Sequence, residues 1–491
     1  MMGQRLAGIL LHATSLPHPG TLGAPAHRFL DLLSRAGARA WQMLPVCPPG
    51  PYDSPYAGRS AFAGDDRLID LEWLARRGWL APQDAQLSPF GTPNRVDFAA
   101  LRAARLPRLR RAFERFVAEG CRPRLAEFAA AHPWLDDYAL FEALRELTGQ
   151  PWWEWPAEYR NYPPSRPTPG TALADEVEFH RFLQYVFDLQ WQELRDVAHA
   201  RGILLIGDMP IFVDRDSADH WAHRSLFLLD ASGNPAVVAG VPPDAFSDTG
   251  QRWGNPLYDW DAMRADGYAW WIARFRRALD LFDALRVDHF RGFVAAWHIP
   301  ADEPTAVNGR WVPGPGRALF DALEAALGRL PIIVEDLGII TDDVRALRDE
   351  LGYPGMAVLQ FAFGGDPDNP YLPRNHRENQ VVYTGTHDND TTLGWWTNLP
   401  EWERDNVRRE LGIDGSRIVD DLVRVALESV AETAIIPMQD LLALDGSHRM
   451  NHPGRAEGNW TWRYAPEQVT PDRLEFFRAL VERTGRDGTR R

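Results

Sequence analysis

Four acidic residues, each placed directly after or at the end of an apolar run, are the candidates for chemistry in this sequence. They are Asp208, Asp288, Glu335 and Asp388. Arg286 stands two residues before Asp288, and on a strand both side chains point to the same side. A guanidinium group beside a carboxyl group favours the ionised form, which a nucleophile needs. A structural ion pair, or an aspartate that caps the next helix, would explain the same spacing.

The other three acids also leave alternatives open. Glu335 precedes Asp336, and adjacent side chains of a strand face opposite ways, so only one of them can enter a site. A solvated acidic turn is the alternative there. His387 and Asp388 together suit acid–base catalysis, metal ligation or recognition of hydroxyl groups, and Asp208 suits either a site or a supporting hydrogen bond.

The minimum equipment for cleaving a sugar linkage with retention is a pair of carboxyl groups, one nucleophilic and one acidic. In such enzymes the two groups lie about 5–5.5 Å apart. The ends of two neighbouring strands can place Asp288 and Glu335 at that separation. The 20 Trp and 12 Tyr residues offer flat faces for sugar rings, although most of the Trp residues must be ordinary core or surface residues.

Eight short apolar runs, each ending near a polar residue, provide the elements that would hold these groups. The runs are 8–12, 40–44, 203–208, 284–288, 332–335, 357–361, 381–386 and 434–437. Continuous apolar runs are typical of parallel strands that are buried on both faces. Helical patterns such as 269–281 and 341–351 separate most of them. The alternation predicts an α/β fold, a (β/α)8 TIM barrel, with reactive groups at the carboxyl ends of its strands.

Uneven spacing of the runs predicts two insertions in one catalytic barrel that spans 1–491. About 160 residues separate the second and third runs, far more than one βα unit needs. We therefore predict a large, mainly helical insertion subdomain at 65–175, between strands 2 and 3. A second, loop-rich insertion at 212–260 follows strand 3 and is expected to lie over the active site.

The composition argues against several classes of function. A net charge of −15 repels phosphate backbones and anionic lipids, so we expect no nucleic-acid and no membrane partner. The sequence contains no lysine, which excludes a lysine nucleophile, a pyridoxal phosphate Schiff base and a Walker-type phosphate lysine. The apolar stretch 6–11 is too short to span a membrane. A cytoplasmic enzyme, monomeric or weakly homo-oligomeric, is the expectation.

Metal and cofactor sites are not expected. Two cysteines cannot form a disulfide framework or a cysteine-rich zinc site. His12, His289 and His387 lack the close spacing of a two-histidine metal site. A metal enzyme and a structural calcium ion in a loop remain open alternatives.

A series of motifs runs in order along almost the whole chain. They are GILLH at 8–12, TSLP at 14–17, WQMLP at 41–45, DSPY at 53–56, GDMPIF at 207–212, GQRWGNPLY at 250–258, RVDHFRG at 286–292, EDLG at 335–338, THDN at 386–389, RMNHPG at 449–454 and GNW at 458–460. In these motifs the sequence resembles amylomaltase, the 4-α-glucanotransferase family that is also called disproportionating enzyme.

The resemblance implies a role for each candidate residue. Asp288 would be the nucleophile that forms a covalent β-glucosyl-enzyme, Glu335 the general acid and then the base, and Asp388 the group that binds hydroxyls of the distorted donor sugar. Further residues implied to bind substrate are Arg286, which would keep Asp288 ionised, His387, Asp208, the stacking Tyr56, the loop residues Trp253 and Asn451, and Phe246.

One position departs from the family pattern. Many members carry an aromatic residue where this chain has Ala245, although Phe246 follows it. This affects the expected stacking of the acceptor sugar and leaves the three carboxyl groups untouched.

The activity that the resemblance implies is the transfer of α-1,4-glucan segments from a donor to the 4-hydroxyl of an acceptor. The expected donors and acceptors are maltooligosaccharides and amylose, with glycogen-derived chains as a further candidate. The alternatives are hydrolysis by the same three residues, because both reactions share one covalent intermediate, and a non-catalytic glucan-binding protein with a decayed site.

Overall fold

A computed structural model describes residues 5–244 and 247–488 of the chain. The strands in the described residues are β1 (Leu6–Leu10), β2 (Ala40–Gln42), β3 (Leu204–Met209), β4 (Val237–Val241), β5 (Gln251–Pro256), β6 (Ala284–Val287), β7 (Ala295–Pro300), β8 (Arg310–Pro313), β9 (Ile332–Val334), β10 (Gly355–Val358), β11 (Gln380–Tyr383) and β12 (Thr433–Pro437).

The helices surround these strands and fill the gaps between them. They are α1 (Ala24–Ala36), α2 (Leu71–Arg76), α3 (Pro82–Ala85), α4 (Phe98–Ala118), α5 (Arg122–Ala131), α6 (Trp134–Thr148), α7 (Ala157–Arg160), α8 (Ala172–Ala200), α9 (Ala218–Ala222), α10 (Trp260–Ala265), α11 (Ala269–Leu281), α12 (Arg317–Leu327), α13 (Asp342–Leu351), α14 (Thr392–Asn398), α15 (Glu401–Leu411), α16 (Ile418–Glu428), α17 (Met438–Leu441) and α18 (Pro471–Arg483).

Eight of the strands form a parallel barrel. Their order is β10–β11–β12–β1–β2–β3–β6–β9, with parallel pairing throughout. The Val334 amide, at the end of β9, donates to the Pro354 carbonyl just before β10 at 3.0 Å and so links the two outer strands. The predicted (β/α)8 barrel is confirmed, and each of the eight predicted runs contains part of one barrel strand.

The barrel strands are buried because they pack on both faces, as their continuous apolar sequences predict. The interior also holds a polar pair, in which the Tyr383 hydroxyl donates to Gln42 Oε1 at 2.9 Å. Because both groups are buried and bonded to each other, neither carries the desolvation cost of an unpaired polar group.

Helices α2 to α7 lie between β2 and β3, and the long helix α8 leads back to the barrel. α8 packs against α4, α5 and α6 of this region, and α6 and α8 share a buried hydrophobic cluster with Trp221 of α9. The predicted helical pattern at 269–281 coincides with α11.

The segment 212–260 contains two strands that the sequence did not predict. β4 and β5 pair with each other, and β4 pairs with β7, to give an antiparallel sheet in the order β5–β4–β7–β8. β4 is a short apolar run of five residues, whereas β5 is largely exposed and shows neither a continuous apolar run nor a clear alternation. No helix in the described ranges has the length and apolar character required to cross a membrane.

Candidate active site

The centre of the candidate site is a buried arginine between two aspartates. Arg286 of β6 pairs in register with Asp208 of β3, and its Nη1 donates to both carboxylate oxygens of Asp208 at 2.8 and 2.7 Å. The same nitrogen lies 3.0 Å from Asp288 Oδ1. The side chain of Asp208 is fully buried, whereas that of Asp288 is 26% exposed. Asp288 therefore combines a cationic partner with access to a ligand.

The charges in this group shift one another's pKa values. Burial would lower the pKa of Arg286, but the carboxylates of Asp208 and Asp288 outweigh it and raise that pKa well above its ordinary value. Burial raises the pKa of Asp208 to about 7; the charge of Asp288 adds to this effect, and Arg286 and the Tyr56 hydroxyl oppose it. The guanidinium thus stays protonated and holds a positive charge beside Asp288.

Glu335 follows β9, the neighbour of β6 in the barrel, so Asp288 and Glu335 lie at adjacent strand ends. Its Oε2 accepts a hydrogen bond from the His289 amide and its Oε1 accepts one from the Leu337 amide, both at 2.8 Å. Burial raises the pKa of Glu335 to about 7; the charge of Asp288 raises it further, and Arg286 acts against them. A carboxyl group with this pKa can give and take a proton near neutral pH.

His289, which follows Asp288, has a left-handed backbone with φ +48° and ψ +49°. Residues with a β-carbon rarely adopt this conformation, and such strain is typical of functional sites. Its amide is the donor to Glu335, so this single turn couples the two carboxyl groups.

Asp388 follows β11 of the barrel. Its Oδ1 accepts from Asn451 Nδ2 at 2.7 Å and lies 3.3 Å from His387 Nε2, and its carbonyl accepts from Arg449 at 2.7 Å. Burial lowers the pKa of His387, so its ring is neutral at neutral pH. The Asp388 side chain is 49% exposed, which leaves oxygen atoms free to bind hydroxyl groups.

Aromatic rings line the site. Tyr56 stacks on His387 with ring centroids 5.1 Å apart and also contacts Trp460 at 5.7 Å. Its hydroxyl donates to Asp208 Oδ2 at 2.8 Å, which fixes the plane of the ring. Trp253 of β5 is 39% exposed and meets His289 edge-on at 4.8 Å. Flat rings beside paired carboxyl groups suit a sugar ligand.

Comparison with known proteins agrees with this geometry. Residues 11–469 match the sequence model of the family described as 4-alpha-glucanotransferase. The chain belongs to the 4-alpha-glucanotransferase family. It is therefore an enzyme that acts on glucans and transfers glucan segments.

Individual 4-alpha-glucanotransferases are similar over nearly the whole chain. The Thermus thermophilus protein is 48% identical over 98% of this chain and 99% of its own length. The chloroplastic/amyloplastic protein of Solanum tuberosum is 46% identical over 96% of this chain and 84% of its own length. The structure of amylomaltase from Streptococcus agalactiae in complex with acarbose superposes with a TM-score of 0.94 at 36% identity, covering 99% of this chain and 100% of that one.

Contacts connect most of the predicted site residues of this 4-alpha-glucanotransferase. Tyr56 contacts Asp208, which is bound to Arg286 and through it to Asp288, while His387 and Asn451 surround Asp388. Glu335 and Trp253 both meet the turn at His289. Phe246, together with Ala245, lies outside the described residues.

Four further groups contact the predicted site residues and were not selected as site residues from the sequence. These are Trp460, Arg449 and the backbone amides of His289 and Leu337. The motifs at 449–454 and 458–460 contain the first two, so the signal was present although their contacts were not predictable. Backbone amide donors cannot be identified from the sequence, because almost every residue type has one.

One cluster away from the site has the composition of a metal site. Side-chain atoms of Glu146, Glu176 and His180 lie within 4.8 Å of one another. Arg110 forms ion pairs with both carboxylates, and Arg102 forms one with Glu146. These arginines neutralise the acids, so the cluster is better described as an ion-pair network on the helical region.

Proposed function

We propose that this enzyme transfers α-1,4-glucan segments by a retaining double displacement in which Asp288 is the nucleophile and Glu335 the acid and base. The observation that carries the proposal is the position of Arg286, which bonds to buried Asp208 and contacts the accessible Asp288. A nucleophile must be ionised and reachable, and Asp288 has both properties.

In the first step an Asp288 oxygen attacks the anomeric carbon of the donor. The bond from that carbon to the leaving 4-oxygen breaks, and Glu335 gives its proton to that oxygen. The products are a glucosyl ester on Asp288 and a shortened glucan with a free 4-hydroxyl. The raised pKa of Glu335 supports this role, because a carboxyl group with an ordinary pKa would be almost fully ionised at pH 7.

In the second step Glu335 takes the proton of an acceptor 4-hydroxyl, and the resulting oxygen attacks the anomeric carbon of the ester. Asp288 leaves as a carboxylate, and the new linkage has the configuration of the old one. While Asp288 is an ester its negative charge is absent, which lowers the pKa of Glu335 and favours the base form.

Asp388, with Asn451 and His387 beside it, would bind hydroxyl groups of the distorted donor sugar and stabilise positive charge as the bond breaks. Tyr56 would stack on the same sugar. The segment 212–260 would cover the site through Trp253 and exclude water, which favours transfer over hydrolysis. The region 65–175 would form a separate helical subdomain of the barrel.

The proposed donors and acceptors are maltooligosaccharides, amylose and glycogen-derived chains, and the bound acarbose in the Streptococcus agalactiae relative supports a ligand of this class. A cytoplasmic location, with a monomer or weak homo-oligomer, is proposed as well. It is supported by the two cysteines, Cys47 and Cys121, which are both free as expected in a reducing compartment.

The test is to incubate the enzyme with maltotriose alone and to separate the products by chain length over time. We expect released glucose together with a ladder of longer maltooligosaccharides. Asp288→Asn should remove this activity by several orders of magnitude while the protein stays folded. Asp342→Asn, at a fully exposed acid of α13, is the matched control.

Two results would contradict the proposal in different ways. Conversion to glucose and maltose without longer chains would make the enzyme a hydrolase with the same carboxyl groups. Near-normal activity of the Asp288→Asn variant would reject Asp288 as the nucleophile.

A further inference from the structure

A groove separate from the candidate active site lies on the antiparallel sheet. It is lined by strands β4, β7 and β8 and by the segments around residues 161–162 and 224–229. Its volume is about 870 Å³, within the range of about 300–1,000 Å³ that is usual for ligand sites. None of its lining residues belongs to the candidate active site. We call it the sheet groove.

The floor of the sheet groove is one face of the sheet. His298 of β7 stands opposite Ala239 of β4 and opposite Arg310 of β8. Side chains that are directly opposite, or two residues apart, share a face, so Val237 and Val312 lie on the same side. The floor is therefore mainly apolar with an imidazole ring at its centre.

One wall of the groove carries an oriented aromatic ring. Tyr162 is 45% exposed, its hydroxyl donates to the Asp137 carboxylate at 3.1 Å, and its ring meets Trp221 edge-on at 5.9 Å. The hydroxyl contact and the edge contact hold the ring, while much of its surface stays open. An exposed, oriented ring is a typical stacking surface for a sugar.

The imidazole in the floor lacks a partner. His298 is only 7% exposed, and within the described ranges its ring nitrogens make no hydrogen bond. Neither nitrogen is among the fully buried unpaired atoms, so the small surface that they keep is accessible, and His298 lines the groove. Burial lowers the pKa of His298 to about 4, which leaves a neutral ring with one donor and one acceptor, as a hydroxyl group requires.

The charged groups at the groove are of both signs. Arg224, Asp259 and Arg310 all line the groove, and Arg224 already donates to the Gly233 carbonyl. Planar polar side chains of mixed charge bind neutral polyhydroxyl ligands through paired hydrogen bonds, whereas an anion site would concentrate positive charge.

We propose that the sheet groove binds a segment of an α-1,4-glucan chain, held by stacking on Tyr162 and by hydrogen bonds to His298 and Arg310. The inference rests on the proposed function, because the ligand is the same polymer that the active site takes. β5 of the same sheet carries Trp253, which contacts His289 of the active site, so we expect one long chain to reach both places. Binding at two places raises the effective concentration of long donors and acceptors, but not of maltotriose.

The experiment compares the wild-type enzyme with Tyr162→Ala and Arg310→Ala, two changes of exposed side chains. Trp402→Ala is the matched control, since Trp402 is an exposed aromatic residue of α15 outside the groove. We expect the two groove variants to raise KM for long amylose about five- to tenfold, with kcat and all constants for maltotriose unchanged. The control variant should change neither.

Binding is measured separately from turnover. In the Asp288→Asn background, calorimetry with maltoheptaose should give two sites, and each groove variant should lose one of them. A single site in the parent, or two sites in the groove variants, would overturn the groove proposal.

Failure of the proposed function would look different. It would appear as turnover of maltoheptaose by the Asp288→Asn protein or as the absence of a ladder from maltotriose. In that case retardation of the wild-type enzyme in native gels containing amylose decides the groove proposal: loss of retardation in both groove variants supports it, and unchanged retardation rejects it.

Discussion

The raised pKa of Glu335 predicts how the enzyme responds to pH. A carboxyl group with a pKa of about 7 holds its proton below pH 7 and loses it above that pH. Because the first step needs the protonated form, kcat/KM for maltotriose should fall on the alkaline side with an apparent pKa of about 7.

The size of the effect follows from the fraction of protonated Glu335. That fraction is about a half at pH 7, about a tenth at pH 8 and about one hundredth at pH 9, so kcat/KM should fall about tenfold for each further pH unit. With an ordinary glutamate pKa near 4.3, only about one enzyme molecule in 500 would carry the proton on Glu335 at pH 7.

Initial rates of glucose release from maltotriose between pH 5 and pH 10 measure the profile. Asp208 also has a pKa raised to about 7, so a second donor is needed to separate the two groups. α-Maltosyl fluoride is a suitable second donor, because its fluoride leaving group departs without needing a proton from Glu335. The alkaline decline should disappear when first-turnover fluoride release is measured, and Glu335→Gln should retain this release while losing activity on maltotriose.

Two outcomes would refute the reasoning. A profile for maltotriose that stays level to pH 9 would show that Glu335 is not the proton donor. An equal alkaline decline for both donors would assign the ionisation to another group, with Asp208 as the first candidate.

Three substitutions test the contacts around these carboxyl groups. Tyr56→Phe removes the 2.8 Å hydrogen bond to buried Asp208 and should lower the free energy of unfolding by about 1.5–3 kcal/mol, measured by urea denaturation. Asp208→Asn removes a buried ionic partner of Arg286 and should lower the free energy of unfolding by about 3–5 kcal/mol in the same assay. An unchanged midpoint of urea denaturation would show that the ion pair contributes little to stability. Asn451→Ala removes the 2.7 Å hydrogen bond to Asp388 and should reduce kcat/KM for maltotriose about tenfold or more. Circular dichroism checks that the variant is folded. Unchanged kinetics would show that Asn451 has no role in the reaction.

The barrel was predictable because its strands carry a strong local signal. Each is an apolar run, buried on both faces, and the helices between them have a clear period, as in α11. β5 of the antiparallel sheet was missed for the converse reason. β5 reads Gln-Arg-Trp-Gly-Asn-Pro, with three exposed residues, and its pairing with β4 is interrupted by a register shift.

The site was predictable only in part. The positions of Asp288 and Glu335 at neighbouring strand ends follow from the barrel order, which the alternation of elements already implied. The contact of Asn451 with Asp388 joins residues 63 apart in sequence, and no local pattern specifies it. Asn451 entered the prediction through the family resemblance, and its role in the reaction stays a prediction.

The hydrogen bonds from backbone amides to the Glu335 carboxyl group limit which sequence changes the enzyme can tolerate. Its two hydrogen-bond donors are main-chain amides, those of His289 and Leu337, which every residue except proline provides. The side chain at Leu337 can therefore vary without loosening the carboxyl group, and at His289 the left-handed backbone limits the choice to residues that tolerate it. An insertion, a deletion or a proline at either position would displace the carboxyl group. Variation in substrate preference can accumulate around the acid by substitution, and the lengths of the two turns are what must be preserved.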